Sequence, residues 1–155
     1  MLVMRERGSE MGKQIYYEDL HEGEELPALT RETSVVHMGR WAGVSGDYAP
    51  VHYDKVTGES YGFPDAIVQG KLKAAYLIEL VTDWMGIDGW IRKFNCQYRR
   101  TDPIRSALVM KGRIVKKYVE ETQHLVDLEI WTETPDGEKT TIASATIVSP
   151  SRSGA

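Results

Sequence analysis

The apolar positions of this chain fall into two periods. From Lys71 to about Met85, Ala74, Leu77, Ile78, Val81 and Met85 recur at helical spacing. Leu72, Ala75, Tyr76, Leu80 and Trp84 lie on the other sides, and only Glu79, Thr82 and Asp83 interrupt the apolar surface after Lys73. A helix that is apolar on most sides has to be buried on most sides, which a curved sheet achieves and a flat one does not. Gln69-Gly70 opens this helix and Gly86 ends it. Beyond it the period drops to two. Within residues 89–100, Trp90, Phe94, Cys96 and Tyr98 alternate with Lys93, Asn95, Gln97 and Arg99. Leu108, Met110 and Ile114 share one face of a strand over 107–119, and Val126, Leu128 and Ile130 share one over 123–133. Ala143, Ala145 and Ile147 alternate with Ile142, Ser144 and Thr146 over 140–148. Pro135-Asp136-Gly137 joins the last two strands, Pro fixing φ and Gly permitting a positive φ. One buried helix followed by long strands in series predicts an α+β domain with an antiparallel meander. Such a sheet leaves edges that a second subunit would cover.

The first half of the chain is more broken. Tyr16 to Leu20 leads into an acidic loop ending near Pro27. The β-branched Thr30, Thr33, Val35 and Val36 predict a short strand over 29–36. Residues 37–44 then read as one or two turns of helix with Trp41 and Val44 toward the core. Asp54 is placed to cap a short helix reaching Tyr61 and stopped by Gly62-Phe63-Pro64. Between these helices lies Ser45-Gly46-Asp47-Tyr48-Ala49-Pro50-Val51-His52, an acid and an imidazole in a turn set by Gly46 and Pro50.

Composition narrows the options. With 155 residues, 41% hydrophobic and 27% charged, the chain is expected to form one domain with a real core. The expected layout is a flexible tail over 1–14, one domain over 15–149 and a frayed tail over 150–155, with Met11 an alternative start. Met1 to Lys13 lacks the apolar stretch of a secretory leader, and no run approaches the ~20 apolar residues of a membrane span. A formal charge of -4 argues against nucleic acid as a partner, so an anionic ligand would need local cations. Cys96 is the only cysteine, which excludes an internal disulfide and fits the cytoplasm. His21, His37 and His124 have no metal-ligand spacing, so neither a metal site nor a cofactor is expected. Ser45 and Ser60 lack the context of a hydrolase nucleophile.

Gly46-Asp47-x-x-Pro50-x-His52 resembles the motif Gly-Asp-x-Asn-Pro-x-His of the MaoC-like, or (R)-specific enoyl-CoA hydratase, family. The similarity continues through Phe63-Pro64-Asp65-Ala66-Ile67-Val68-Gln69-Gly70 and through residues 91–105, with Tyr98-Arg99-Arg100 and Pro103, and spans roughly 16–148. It implies a hot-dog fold, a long helix wrapped by a curved antiparallel sheet. It also implies assembly as a homodimer or an oligomer of dimers, or as a heterodimer with a second MaoC-like chain. The activity implied is that of a hydro-lyase, hydrating a trans-2-enoyl thioester of coenzyme A or acyl carrier protein, or dehydrating the 3-hydroxyacyl product.

In that scheme His52 takes a proton from water, while Asp47 holds the same water and exchanges the second proton. The Gly70 N–H, unpaired at the positive end of a helix, meets the developing enolate oxygen. Gln69, Lys71, Arg99 and Arg100 are the candidate substrate-binding residues, with Lys73 and Arg105 as further cations for an anionic ligand. Two positions depart from the family pattern: Ala49 replaces Asn, and Gln69 stands where His is usual before the helix Gly. Bland alternatives fit the same residues. Asp47 and His52 also read as an Asx turn and a capping histidine, the lysines as a solvated helix end, and the arginines as a solvated strand face. Ala49 and Gln69 also motivate a non-catalytic or partner-dependent acyl-CoA-binding subunit, and a hot-dog domain can equally be a thioesterase.

Overall fold

The computed structural model describes residues 14–153. Its elements are β1 (Leu29–Glu32), α1 (Val35–Ser45), α2 (Lys55–Ser60), α3 (Gly70–Met85), β2 (Trp90–Tyr98), β3 (Ala107–Glu120), β4 (Gln123–Glu133) and β5 (Lys139–Val148). The five strands form one antiparallel sheet in the order β1-β3-β4-β5-β2. The predicted meander is therefore present as β3-β4-β5. The turn at Pro135-Asp136-Gly137 closes through the Gly137 N–H on the Thr134 carbonyl at 2.9 Å, with Gly137 at φ 85°.

The sheet curls around α3, as the hot-dog fold requires. Leu77, Leu80, Val81 and Met85 of α3 pack on Met110 and Ile114 of β3, Leu128 and Ile130 of β4, and Ala145 and Ile147 of β5. These are the faces that the alternation assigned to the core. A smaller apolar cluster lies at the other end of the helix, where Leu72 meets Met38 of α1 together with Ala66, Val68 and Ile104. The wrapping is incomplete, because Ile78 remains 38% exposed.

Three local expectations are corrected. The strand over 29–36 stops at Glu32, because the Ser34 side chain accepts the His37 N–H and starts a helix at Val35. A local cap thus overrides the β preference of Val35 and Val36. In the resulting three-turn helix, Met38 and Ala42 are buried, whereas Val44 is 82% exposed and Trp41 only partly covered. In β2 a bulge between Ile91 and Lys93 shifts the alternation, so Ile91, Phe94 and Cys96 pack on the core and Trp90 is 48% exposed.

Most of the expected 1–14 tail lies outside the described residues. Gln14 itself is tied down: its Nε2 donates to the Met85 carbonyl at 3.0 Å and its Oε1 accepts the Asp88 N–H at 2.9 Å. The first residues of the expected frayed tail are likewise held. The Tyr17 N–H donates to the Pro150 carbonyl at 2.9 Å, and Arg152 pairs with Asp19.

Candidate active site

The loop between α1 and α2 is shaped by short-range backbone devices. Gly46 ends α1 in the left-handed conformation, φ 74°, its N–H on the Ala42 carbonyl at 2.8 Å. Asp47 Oδ1 then accepts the Ala49 N–H at 3.3 Å, which is an Asx turn. Pro50 opens a single 3-10 turn, Pro50–His52, that carries His52 back toward Asp47. Asp54 caps α2 as expected, accepting the Thr57 N–H at 2.9 Å. The Tyr53 hydroxyl donates to the Tyr48 carbonyl at 2.8 Å and braces the loop across its width.

His52 is held at one nitrogen. Its Nδ1 lies 2.9 Å from the Ile67 carbonyl oxygen. A carbonyl only accepts, so Nδ1 carries a hydrogen, and in the neutral form of the ring the lone pair lies at Nε2. Nε2 faces Asp47 Oδ2 at 3.6 Å. That distance is too long for a direct hydrogen bond and short enough for one water to touch both atoms. The imidazole is 14% exposed and the carboxylate 44%, so the ring is sheltered while the carboxylate opens to solvent.

The start of α3 stands against this loop. Gln69 is the residue before the helix, is 1% exposed, and does not cap it. Its Nε2 instead donates to the Asp47 backbone carbonyl at 3.0 Å. Gln69 Oε1 is buried with no hydrogen-bond partner among the described residues. Gly70 follows, and its N–H has no acceptor among the described residues. A Cβ at Gly70 would lie 3.3 Å from the Tyr98 ring, so the strand β2 side chain closes directly on this glycine. Burial, then the neighbouring Cys96 thiol, pushes the Tyr98 hydroxyl up to about 12, so it remains a proton donor at neutral pH.

The structure brings Asp47, His52, Gln69 and Gly70 together and treats the cations differently. Lys71 is exposed on the first turn of α3. Lys73, considered above as a contact for an anionic ligand or as a solvated residue, is neither. Its Nζ is buried, 2.7 Å from Asp102 Oδ2 and 2.8 Å from the Arg100 carbonyl. Arg100 pairs with Glu138 at 2.7 Å, Arg99 donates to Gln97 Oε1 at 2.6 Å, and Arg105 pairs with Asp65. None of these three guanidinium groups points to a ligand by lacking a partner. Sequence reasoning missed Ile67, whose contribution is a backbone carbonyl and so leaves no side-chain signal. It also missed a cleft of about 260 Å³ lined by Ala49, Pro50, Val51, Thr57, Tyr61, Phe63 and Ile67. Four of those seven residues belong to the His52 loop or to the segment that anchors its ring.

The comparisons agree with this architecture. Residues 20–143 match the family described as MaoC like domain. The (R)-hydratase from A. caviae involved in PHA biosynthesis superposes with a TM-score of 0.78 at 17% identity, covering 86% of this chain and 99% of that one. The R-hydratase PhaJ1 from Pseudomonas aeruginosa gives 0.80 at 21% identity, covering 90% and 88%. The HadBC (3R-hydroxyacyl-ACP dehydratase) complex from Mycobacterium tuberculosis gives 0.69 at 10% identity, covering 82% and 96%. At these identities the superpositions establish the fold. No curated protein sequence matches this one. With the family match spanning most of the chain and the hot-dog architecture shared along its length, this protein belongs to the MaoC-like domain family and carries its hydratase/dehydratase fold.

Proposed function

We propose that this chain is a hydro-lyase acting on acyl thioesters, hydrating a trans-2-enoyl group or dehydrating the 3-hydroxyacyl product. The observation that carries the proposal is the state of His52. Its Nδ1–H is committed to the Ile67 carbonyl at 2.9 Å, leaving Nε2 as a free base 3.6 Å from Asp47 Oδ2. A water held between them hydrogen-bonds to the Asp47 carboxylate through one O–H, which stays intact, and loses its other proton to His52 as its oxygen bonds to Cβ. The displaced electron pair moves to the thioester oxygen, for which the Gly70 N–H is the assigned donor. The His52 imidazolium then returns its proton to Cα, so the net change is one H and one OH added. The apolar cleft beside the same turn supports an acyl end of limited size.

The test is the loss of enoyl-thioester ultraviolet absorbance with straight and branched enoyl-CoA substrates. Asp47→Asn and His52→Ala are each expected to lower kcat by about 10²- to 10⁴-fold. Wild-type rates in both variants would make the assignment wrong. The superposition on a dehydratase described as a complex supports a second arm, in which activity arises only after a second MaoC-like chain is added.

A further inference from the structure

We infer that Gln69 is a positioning residue that locks the Asp47 loop to the N-terminus of α3, which deepens the hydro-lyase proposal and rests on it. The loop carries the acid and base, and the helix start carries the unpaired Gly70 N–H. For water and thioester to meet both, the loop and the helix must be held at one fixed separation, because small misplacements are costly to catalysis. The side chain that spans them is Gln69. It follows directly from the strand-like segment 66–68 and precedes Gly70, and its Nε2 donates at 3.0 Å to the carbonyl of Asp47 itself, 22 residues away. Within the loop, Ala49 offers no polar side chain, and the other side-chain braces, the Asp47 N–H on Ser45 Oγ, the Ala49 N–H on Asp47 Oδ1 and the Tyr53 hydroxyl on the Tyr48 carbonyl, are local to the loop and its flank. The other tie between this loop and the segment before α3 is the pairing of Val51 and His52 with Ile67, which fixes the base. Gln69 does the corresponding service for the acid.

Packing alone does not explain this residue. Gln69 is 1% exposed, and its Oε1 is buried without a donor among the described residues. An orphaned buried acceptor lowers stability. A methionine of similar length would fill the space without that loss. The amide is thus poorly suited to a purely structural role and well suited to holding the Asp47 carbonyl, a trade of stability for placement.

The experiment compares Gln69→Met, Gln69→His and Gln69→Glu with the wild-type chain, using crotonyl-CoA as substrate. Gln69→Met is expected to unfold at or above the wild-type temperature, to exchange backbone hydrogens faster across residues 46–53, and to lose about 10- to 100-fold in kcat with little change in KM. Gln69→His, which keeps an N–H donor, is expected to recover most of that loss. Gln69→Glu can donate to the Asp47 carbonyl only when protonated, so its kcat should rise as pH falls relative to wild type. Unchanged exchange across 46–53 in Gln69→Met overturns the inference whatever the activity does, as does a kcat loss matched by a lower unfolding temperature. If Asp47→Asn and His52→Ala are fully active, the hydro-lyase proposal fails, while the exchange result still decides whether Gln69 holds the loop.

Discussion

Replacing Asp102 with Asn should remove a large part of the stability of this domain, although it changes one atom type in one side chain. Lys73 Nζ sits 2.7 Å from Asp102 Oδ2, and the two side chains are 2% and 4% exposed. The second contact of the ammonium is the Arg100 carbonyl at 2.8 Å. An exposed ion pair would contribute ~0–1 kcal/mol. Here Asn leaves an ammonium buried without a counter-charge, and breaking a buried pair from one side costs about 3–5 kcal/mol. For a domain of this length each kcal/mol moves Tm by about 2–4 °C, so the expected fall is roughly 6–20 °C. Lys73→Met should cost as much, because it strands the carboxylate. The double substitution Lys73→Met with Asp102→Leu removes both charges. An apolar replacement is worth up to about 1–4 kcal/mol, and the Arg100 carbonyl loses a partner at about 1–3 kcal/mol. These offset, so the double variant should lie near wild type and show strong coupling in the mutant cycle. Urea and thermal unfolding of the wild type, of Asp102→Asn, and of Lys73→Met and Asp102→Leu singly and together measure this. A loss under about 1 kcal/mol in Asp102→Asn would show that the pair is solvated and the reasoning mistaken.

Two further outcomes follow from particular contacts. Gly58 of α2 packs so closely on the 65–66 backbone that a Cβ would fall on the Asp65 carbonyl and lie 2.8 and 2.9 Å from Asp65 C and Ala66 N. Gly58→Ala should therefore destabilise by about 1–3 kcal/mol in urea unfolding, where an ordinary helical Gly→Ala change would stabilise. Glu133 is held below the ordinary carboxylate value of 4.5, first by the Lys111 ammonium and also by the Trp131 indole N–H. Its contribution is thus present above pH 4.5 and is lost as pH falls through the lower folded value. The Tm difference between wild type and Glu133→Gln should shrink on acidification, and a difference that grows instead would contradict the assigned sign.

Periodicity made the central architecture legible from the chain alone. Leu77, Val81 and Met85 of α3 and the alternating residues of β3, β4 and β5 meet in the core, because side-chain direction follows directly from helical and strand geometry, whereas Ile78 stays partly exposed. Local chemistry was equally readable where the partner lies within a few residues, as at the Asp54 cap and the Gly137 turn. The same locality failed where two short-range preferences competed, so Ser34 began a helix across a β-branched run, and where the β2 bulge moved Trp90 off the core face. Asp47 and His52 could be picked out as residue types in a turn. Their chemical state could not, since the His52 tautomer is fixed by a backbone carbonyl 15 residues away. Lys73 reads as a solvated helix end until folding brings up Asp102, 29 residues on, and Gln69 reads as a substrate contact until it meets the Asp47 carbonyl. The sequence determined which faces must be buried, because that information is carried by each element separately. The tertiary structure decided which polar groups are paired, which are orphaned and which remain available for chemistry, because that depends on where distant loops converge.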